Sequence, residues 1–157
     1  MKILGGAVRR DAGEVLRDGQ PLSLTSPRDA LAAGIRTIHQ EFSLVPELSV
    51  ADNLFLGREP VALQFIQGGR MRAEARRVLD ELGASFDPRA RVASLSVGER
   101  QLVEIGKALA ASAGVIAMDE PTAALTERET ERLFGVVARL KARGVGVIYI
   151  SHRLEEL

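Results

Sequence analysis

The chain has 157 residues, of which 46% are hydrophobic and 27% charged, a balance that excludes a disordered segment and suits one globular domain. Lys and Arg total 21, as do Asp and Glu, so the formal net charge is +0 and no global field favours nucleic acid or an anionic membrane. Zero cysteines exclude disulfides and thiolate metal sites and fit a reducing compartment. The opening residues hold no apolar stretch of the signal-peptide kind, and no apolar run approaches the ~20 residues that span a bilayer, so a membrane role goes through a partner.

From Met1 a helical stretch gives way at Asp11-Ala12-Gly13 to a short strand around Glu14-Val15-Leu16, followed by a turn at Asp18-Gly19. Ser26-Pro27 predicts a helix start and Gly34 its stop, and the next strand ends in Gln40. Between about Glu41 and Arg91 the pattern is helical: Met71, Ala75, Val78, Leu79 and Leu82 recur at helix spacing, while Arg70, Arg72, Arg76 and Arg77 fill the other face. That basic face reads as solvated, because arginine without interleaved aromatics is weak evidence for nucleic-acid binding. From Ser94 onward helix, buried strand, helix and buried strand alternate, which predicts an α/β fold with a parallel sheet and helical crossovers. The chain shows no internal repeat, low-complexity tract or long linker.

Two strings carry chemistry. In Leu95-Ser96-Val97-Gly98-Glu99-Arg100-Gln101, a helix start bearing serine and glycine can present N–H groups to a phosphate. The apolar run Val115-Ile116-Ala117-Met118 ends in Asp119-Glu120-Pro121-Thr122, where two acids can hold Mg²⁺ and polarise a water. Each has a plain alternative. Ser96 and Glu99 form a capping box ahead of Leu102, Ile105 and Leu109, but capping asks for neither Gly98 nor Gln101. Asp-Glu-Pro can be an ordinary strand exit, except that ligands of open parallel sheets sit beyond the carboxyl ends of strands. His152 and Gln40, unremarkable singly, fall at two further strand ends, so three ends converge on one edge.

These strings resemble the ATP-binding cassette (ABC) family, whose signature is Leu-Ser-x-Gly-x-x-Gln and whose Walker B motif is four apolar residues followed by Asp-Glu. The resemblance extends to Gln40 as the Q-loop glutamine and His152 as the switch histidine. It implies a P-loop NTPase-like nucleotide-binding domain, mostly parallel sheet with helical crossovers plus a helical subdomain. Residues 1–40 and 94–157 are then pieces of the core, and 41–93 the Q-loop and helical subdomain. The wording IHQEFSLVPELSVADNLFLGRE, DEPTAALT and IYISHRLEEL is similar to the first cassette of two-cassette ATPases of bacterial sugar importers of the ribose, xylose and galactose kind. Ala123-Ala124-Leu125-Thr126 departs from the commoner Ala-Leu-Asp ending, a change that suits that subtype and argues against the translation-factor branch. The short span from Gln40 to Ser96 argues against chromosome-maintenance ATPases. The family's phosphate loop, GxxxxGK followed by Ser or Thr, does not occur, and Gly106-Lys107 sits inside a helical pattern. The resemblance thus implies a fragment, incomplete at both ends.

By the same resemblance the chain is part of an ATPase that binds ATP with Mg²⁺ and energises carbohydrate import. Asp119, with Gln40, would hold Mg²⁺; Glu120 would be the general base; His152 would hold the γ-phosphate and the attacking water. Ser96 and Gly98 would complete the ATP site of a second cassette in a head-to-tail sandwich, and Gln101 and Gln40 are further ATP-binding residues, Gln40 serving ATP at this cassette's own site. The segment Glu41-Phe42-Ser43-Leu44-Val45-Pro46-Glu47 would face membrane permease subunits, with a periplasmic sugar-binding protein as an indirect partner and no nucleic acid. The implied location is peripheral, on the cytoplasmic face of the bacterial inner membrane. The alternative is a non-catalytic fragment or interaction module unable to bind ATP alone.

Overall fold

Three parallel strands, β3 (Ile35–Ile38), β6 (Val115–Asp119) and β7 (Gly146–Ile150), form the central sheet in the order β3-β6-β7 of the computed structural model, which describes residues 1–152. The register pairs Ile38 with Met118 and Met118 with Tyr149, so the carboxyl ends of all three strands finish level on one edge. Ile116, Ala117 and Met118 are fully buried because β6 is the middle strand with helices packed over it. Strand β3 ends at Ile38, two residues short of the expected Gln40, and His39 and Gln40 already lie in the exposed loop beyond it. The end of the string IYISHRLEEL, residues 153–157, lies outside the described residues.

Helix α4 (Val97–Ala110) connects the two larger apolar clusters. Its Ile105 and Ala108 pack with Ile116, Met118 and Leu133 of the sheet and α5 (Glu127–Ala142). Val103 faces the other way, into a cluster with Leu54 of α2 (Val50–Phe55) and Leu79 of α3 (Gly68–Leu82). A helix buried on two faces needs small residues where its neighbours come closest, and Gly106 is that place. A Cβ there would sit 2.8 Å from a methyl of Leu54 and 3.3 Å from methyls of Leu82 and Val78. Gly106→Val is expected to destabilise the fold by about 1–3 kcal/mol through overpacking, read as a lower urea midpoint at unchanged slope.

The predicted amphipathic helix is α3, with Met71, Ala75, Leu79 and Leu82 buried and Gly83 closing it at φ 69°. Its basic face is solvated as expected but not idle. Arg70 pairs with Glu74 and Arg76 with Asp80, both at 2.8 Å, and Arg76 also donates to the carbonyls of Ala84 and Phe86. Arginine thus ties down the chain that leaves the helix. The stretch 41–91 is not helical throughout: a small hairpin of β4 (Val61–Ala62) and β5 (Phe65–Ile66) interrupts it. Its turn places Leu63 and Gln64 at positive φ, without the Asn-Gly or Gly that would announce such a turn. A second hairpin, β1 (Val15–Arg17) with β2 (Gln20–Leu22), and α1 (Pro27–Ala32) pack through Leu24, Ala30 and Ile35 on the outer side of β3.

Candidate functional site

The site starts where β6 ends. After Asp119 the chain turns sharply through Glu120, at φ 49°, a left-handed backbone that a side-chain-bearing residue adopts only when its surroundings impose it. The Glu120 N–H donates to Ile150 O at 3.0 Å, so β7 enforces the turn. Pro121 and Thr122 are buried behind it, and the Tyr149 hydroxyl lies 3.3 Å from Thr122 Oγ1. Held this way, Glu120 Oε1 lies 2.9 Å from Nε2 of His152, whose side chain is 81% exposed. Two of the sequence-predicted residues therefore touch.

A cleft of about 250 Å³ opens beside this pair, lined by Gln40, Gln101 and Glu120 together with Phe42, Val97 and the Pro121–Leu125 turn. Gln101 is 4% exposed and its Nε2 has no hydrogen-bond partner among the described residues, an unusual state for a buried amide. Asp119 is half-buried at the same strand end but does not line the cleft. Among the described residues no cluster of three His, Cys, Asp or Glu could hold a metal ion. The donors at this edge are oxygens, the Asp119 carboxylate and the Gln40 amide, and so few fit Mg²⁺, which keeps waters and takes substrate phosphate oxygens rather than a full protein cage.

Ser96 and Gly98 sit in a separate cavity with Glu99, Glu129 and Arg132, and Gln101 lines both. The capping box is formed: Ser96 Oγ accepts from the Glu99 N–H at 3.2 Å and the Ser96 N–H donates to Glu99 Oε2 at 2.9 Å. Two further bonds reach this helix start. Ser96 Oγ and the Gly98 N–H both donate to Oε1 of Glu129, each at 3.2 Å. Its other oxygen accepts from the N–H and hydroxyl of Thr126, at 3.0 and 2.9 Å, in the capping box of α5. The Thr126 bonds first, then those from Ser96 and Gly98, hold the Glu129 carboxyl below its ordinary value of 4.5. The tie to α4 is thus fully formed above that ordinary value and is lost as acid brings the pH down through the depressed one.

Sequence reasoning missed Glu129, because its place three residues after Thr126 reads only as a helix cap. It also missed Glu104. This residue is 7% exposed on α4 and accepts from the N–H and hydroxyl of Ser43, while Lys107 Nζ donates to Ser43 O at 3.1 Å. The loop after Gln40 is thereby clamped to α4 across a separation of about 60 residues in sequence, which no local pattern announces.

Comparison with known proteins shows the family. The profile of the ABC transporter family matches residues 1–123. The chain is 55% identical over 157 residues to the ribose import ATP-binding protein RbsA 1 of Rubrobacter xylanophilus, covering all of this chain and 32% of that protein. It is 56% identical over 158 residues to ribose import ATP-binding protein RbsA of Chromobacterium violaceum, again 100% and 32%. With arabinose import ATP-binding protein AraG 1 of Burkholderia ambifaria the identity is 50% over 157 residues, 100% of this chain and 31% of that protein. The chain thus spans about a third of the length of the curated relatives it matches. Among solved structures, the ADP conformation of MJ1267, an ATP-binding cassette of an ABC transporter, superposes with a TM-score of 0.81 at 25% identity, over 99% of this chain and 65% of that one. A second structure of MJ1267 gives 0.83 at 28% identity, over 98% and 64%. Matched by the family's profile over most of its length and by its relatives over all of it, the chain belongs to the ABC transporter family.

Proposed function

We propose that this chain is part of the first ATP-binding cassette of a carbohydrate importer, and that Glu120, His152, Gln40 and Asp119 act on ATP held at that cassette. The observation that carries the reading is the Glu120–His152 pair at 2.9 Å beside a cleft shared with Gln40 and Gln101. Sugar import is supported by relatives at 50 to 56% identity that are named for ribose and arabinose import. In this reading residues 1–40 and 94–157 belong to the catalytic core, and 41–93 to the Q-loop and helical subdomain.

The chemistry asked of these residues is positioning and proton transfer. Glu120 Oε1 lies 2.9 Å from the imidazole and can take a proton from a water in the cleft. The imidazole that lies against Glu120 at rest can turn to donate to a γ-phosphate oxygen, freeing the carboxylate for water as substrate arrives. Asp119 and the Gln40 amide would hold Mg²⁺, which neutralises charge on the transferred phosphoryl group. The buried amide of Gln101 is placed between the two cavities and can answer a phosphate from either.

Closure of a second, head-to-tail cassette on Ser96 and Gly98 then completes each site, and the segment after Gln40 carries that motion to permease subunits. The Glu104 and Lys107 bonds to Ser43 make that segment and α4 move together. No described helix is long and apolar enough to cross a membrane, which agrees with peripheral attachment through the permease, on the cytoplasmic face of the inner membrane. A periplasmic sugar-binding protein would meet the permease alone. Vesicles carrying the two-cassette protein and its permease, loaded with Mg²⁺-ATP, are expected to take up a pentose or hexose, measured with radiolabelled sugar. Uptake that proceeds without ATP overturns the reading.

A further inference from the structure

We infer that Glu129 is an internal anion that occupies the start of α4 in the nucleotide-free chain and must be displaced before a phosphate can bind there. The inference rests on the proposed function only for the identity of the arriving phosphate. The occupied state is visible without it.

The donors at this helix start are few, and Glu129 takes the two that matter. Its Oε1 receives Ser96 Oγ–H and the Gly98 N–H at 3.2 Å each, which are the groups an incoming phosphate oxygen needs. A carboxylate oxygen resembles a phosphate oxygen in charge and accepting capacity, so both are drawn to the same positive end of the helix dipole. They cannot share it, since each would bring negative charge within hydrogen-bond distance of the other. The close fit also accounts for Gly98: a Cβ at that position would lie 2.6 Å from Glu129 Oε1 and 2.8 Å from its Cδ. A side chain at position 98 would push the Glu129 carboxylate off the helix start, so glycine is what lets it rest there.

A second observation lies at the same cavity. Gln101, a lining residue that is 4% exposed, has a buried Nε2 with no hydrogen-bond partner among the described residues, and Glu129 does not supply one. Glu129 therefore fills the helix start without completing the cavity's polar groups. It also has a resting place to return to, because Oε2 is bonded independently to Thr126. Swinging Oε1 away from α4 costs two hydrogen bonds and keeps the cap of α5. The device thus links the loop at Thr126 to the state of the α4 start: whatever shifts that loop, such as an approaching second cassette, also loosens the internal anion.

Two variants separate displacement from a positioning role. Glu129→Asp keeps a carboxylate at the third helical position of α5 but is a methylene too short for Gly98, and Glu129→Gln keeps an accepting oxygen without the charge. In the 157-residue chain, followed by the Gly98 amide resonance, both variants are expected to respond to inorganic phosphate at about tenfold lower concentration than the unmodified chain, the equivalent of one charge-assisted hydrogen bond. Equal or weaker response in both variants overturns the inference, and weaker response would make Glu129 a residue that positions Ser96. In the two-cassette protein with its permease, both variants are expected to trap nucleotide against this helix at lower ATP concentration. If the unmodified two-cassette protein traps none at any ATP concentration while the phosphate result stands, the proposed function fails and the internal anion remains; if trapping occurs but the variants need as much ATP or more, the inference fails and the function remains.

Discussion

Glu120→Gln is expected to leave ATP bound at this cassette's own site while slowing its hydrolysis by at least ~10²-fold, the low end for loss of a positioned general base. The amide is nearly isosteric and leaves the Glu120 N–H bond to Ile150 O in place, so the turn at φ 49° and the cleft beside it persist. It cannot take a proton from water. Binding is therefore kept and the chemical step lost, the pattern of a group used only in the transition state. Single-turnover hydrolysis alongside nucleotide occupancy, in the two-cassette protein with its permease, makes the measurement. An unchanged single-turnover rate would assign the base elsewhere, and loss of occupancy would make Glu120 a binding residue.

The sheet edge was legible because its signals are local and repeated. A buried run that ends in acids, a second that ends near histidine and a third that ends near glutamine each declare a strand with its carboxyl end in solvent. Parallel pairing of β3, β6 and β7 in a common register then brings those ends level. The helix at Ser96 was legible for a similar reason, since its capping box is written in residues three apart and is formed as read. What could not be read was contact between distant segments. Glu129 and Ser96 are 33 residues apart, and Glu104 and Ser43 are 61. In both pairs a carboxylate that looks like a solvent-facing helix residue is turned inward by the way α4 is surrounded.

The stretch 41–91 shows a different limit. Periodicity found α3 because fifteen residues give several turns of evidence, whereas α2 has six and each strand of the hairpin two. Segments so short carry no period. The hairpin also leaves Leu63 92% and Phe65 77% exposed, so its side chains violate the burial on which a sequence reading depends. Gly98 was legible as a place of close approach, but the sequence did not say that Glu129, on the same chain, is the group that approaches.

Ser96→Arg is expected to act at a different site from Glu120→Gln. Ser96 caps α4 in a cavity with Gly98 and Glu129, whereas Glu120 lies at the end of β6 in the cleft with Gln40. An arginine at position 96 removes the cap of α4 and costs about 1 kcal/mol for the lost Ser96 Oγ bond to the Glu99 N–H, an amount the fold tolerates. Its larger effect is local. The guanidinium can pair with Glu129 and hold it in place, and its bulk stands where, in the proposed function, a phosphate from the opposing cassette would meet the helix start. Closure over the opposing cassette's nucleotide is then expected to fall by at least ~10²-fold, the loss of an oxyanion-type contact made only in the closed state, while ATP binding at this cassette's own site stays nearly intact. Nucleotide occupancy and turnover measured site by site in the two variants decide the matter. If Ser96→Arg and Glu120→Gln disable the same site, the two cavities serve one nucleotide and the head-to-tail assignment is wrong.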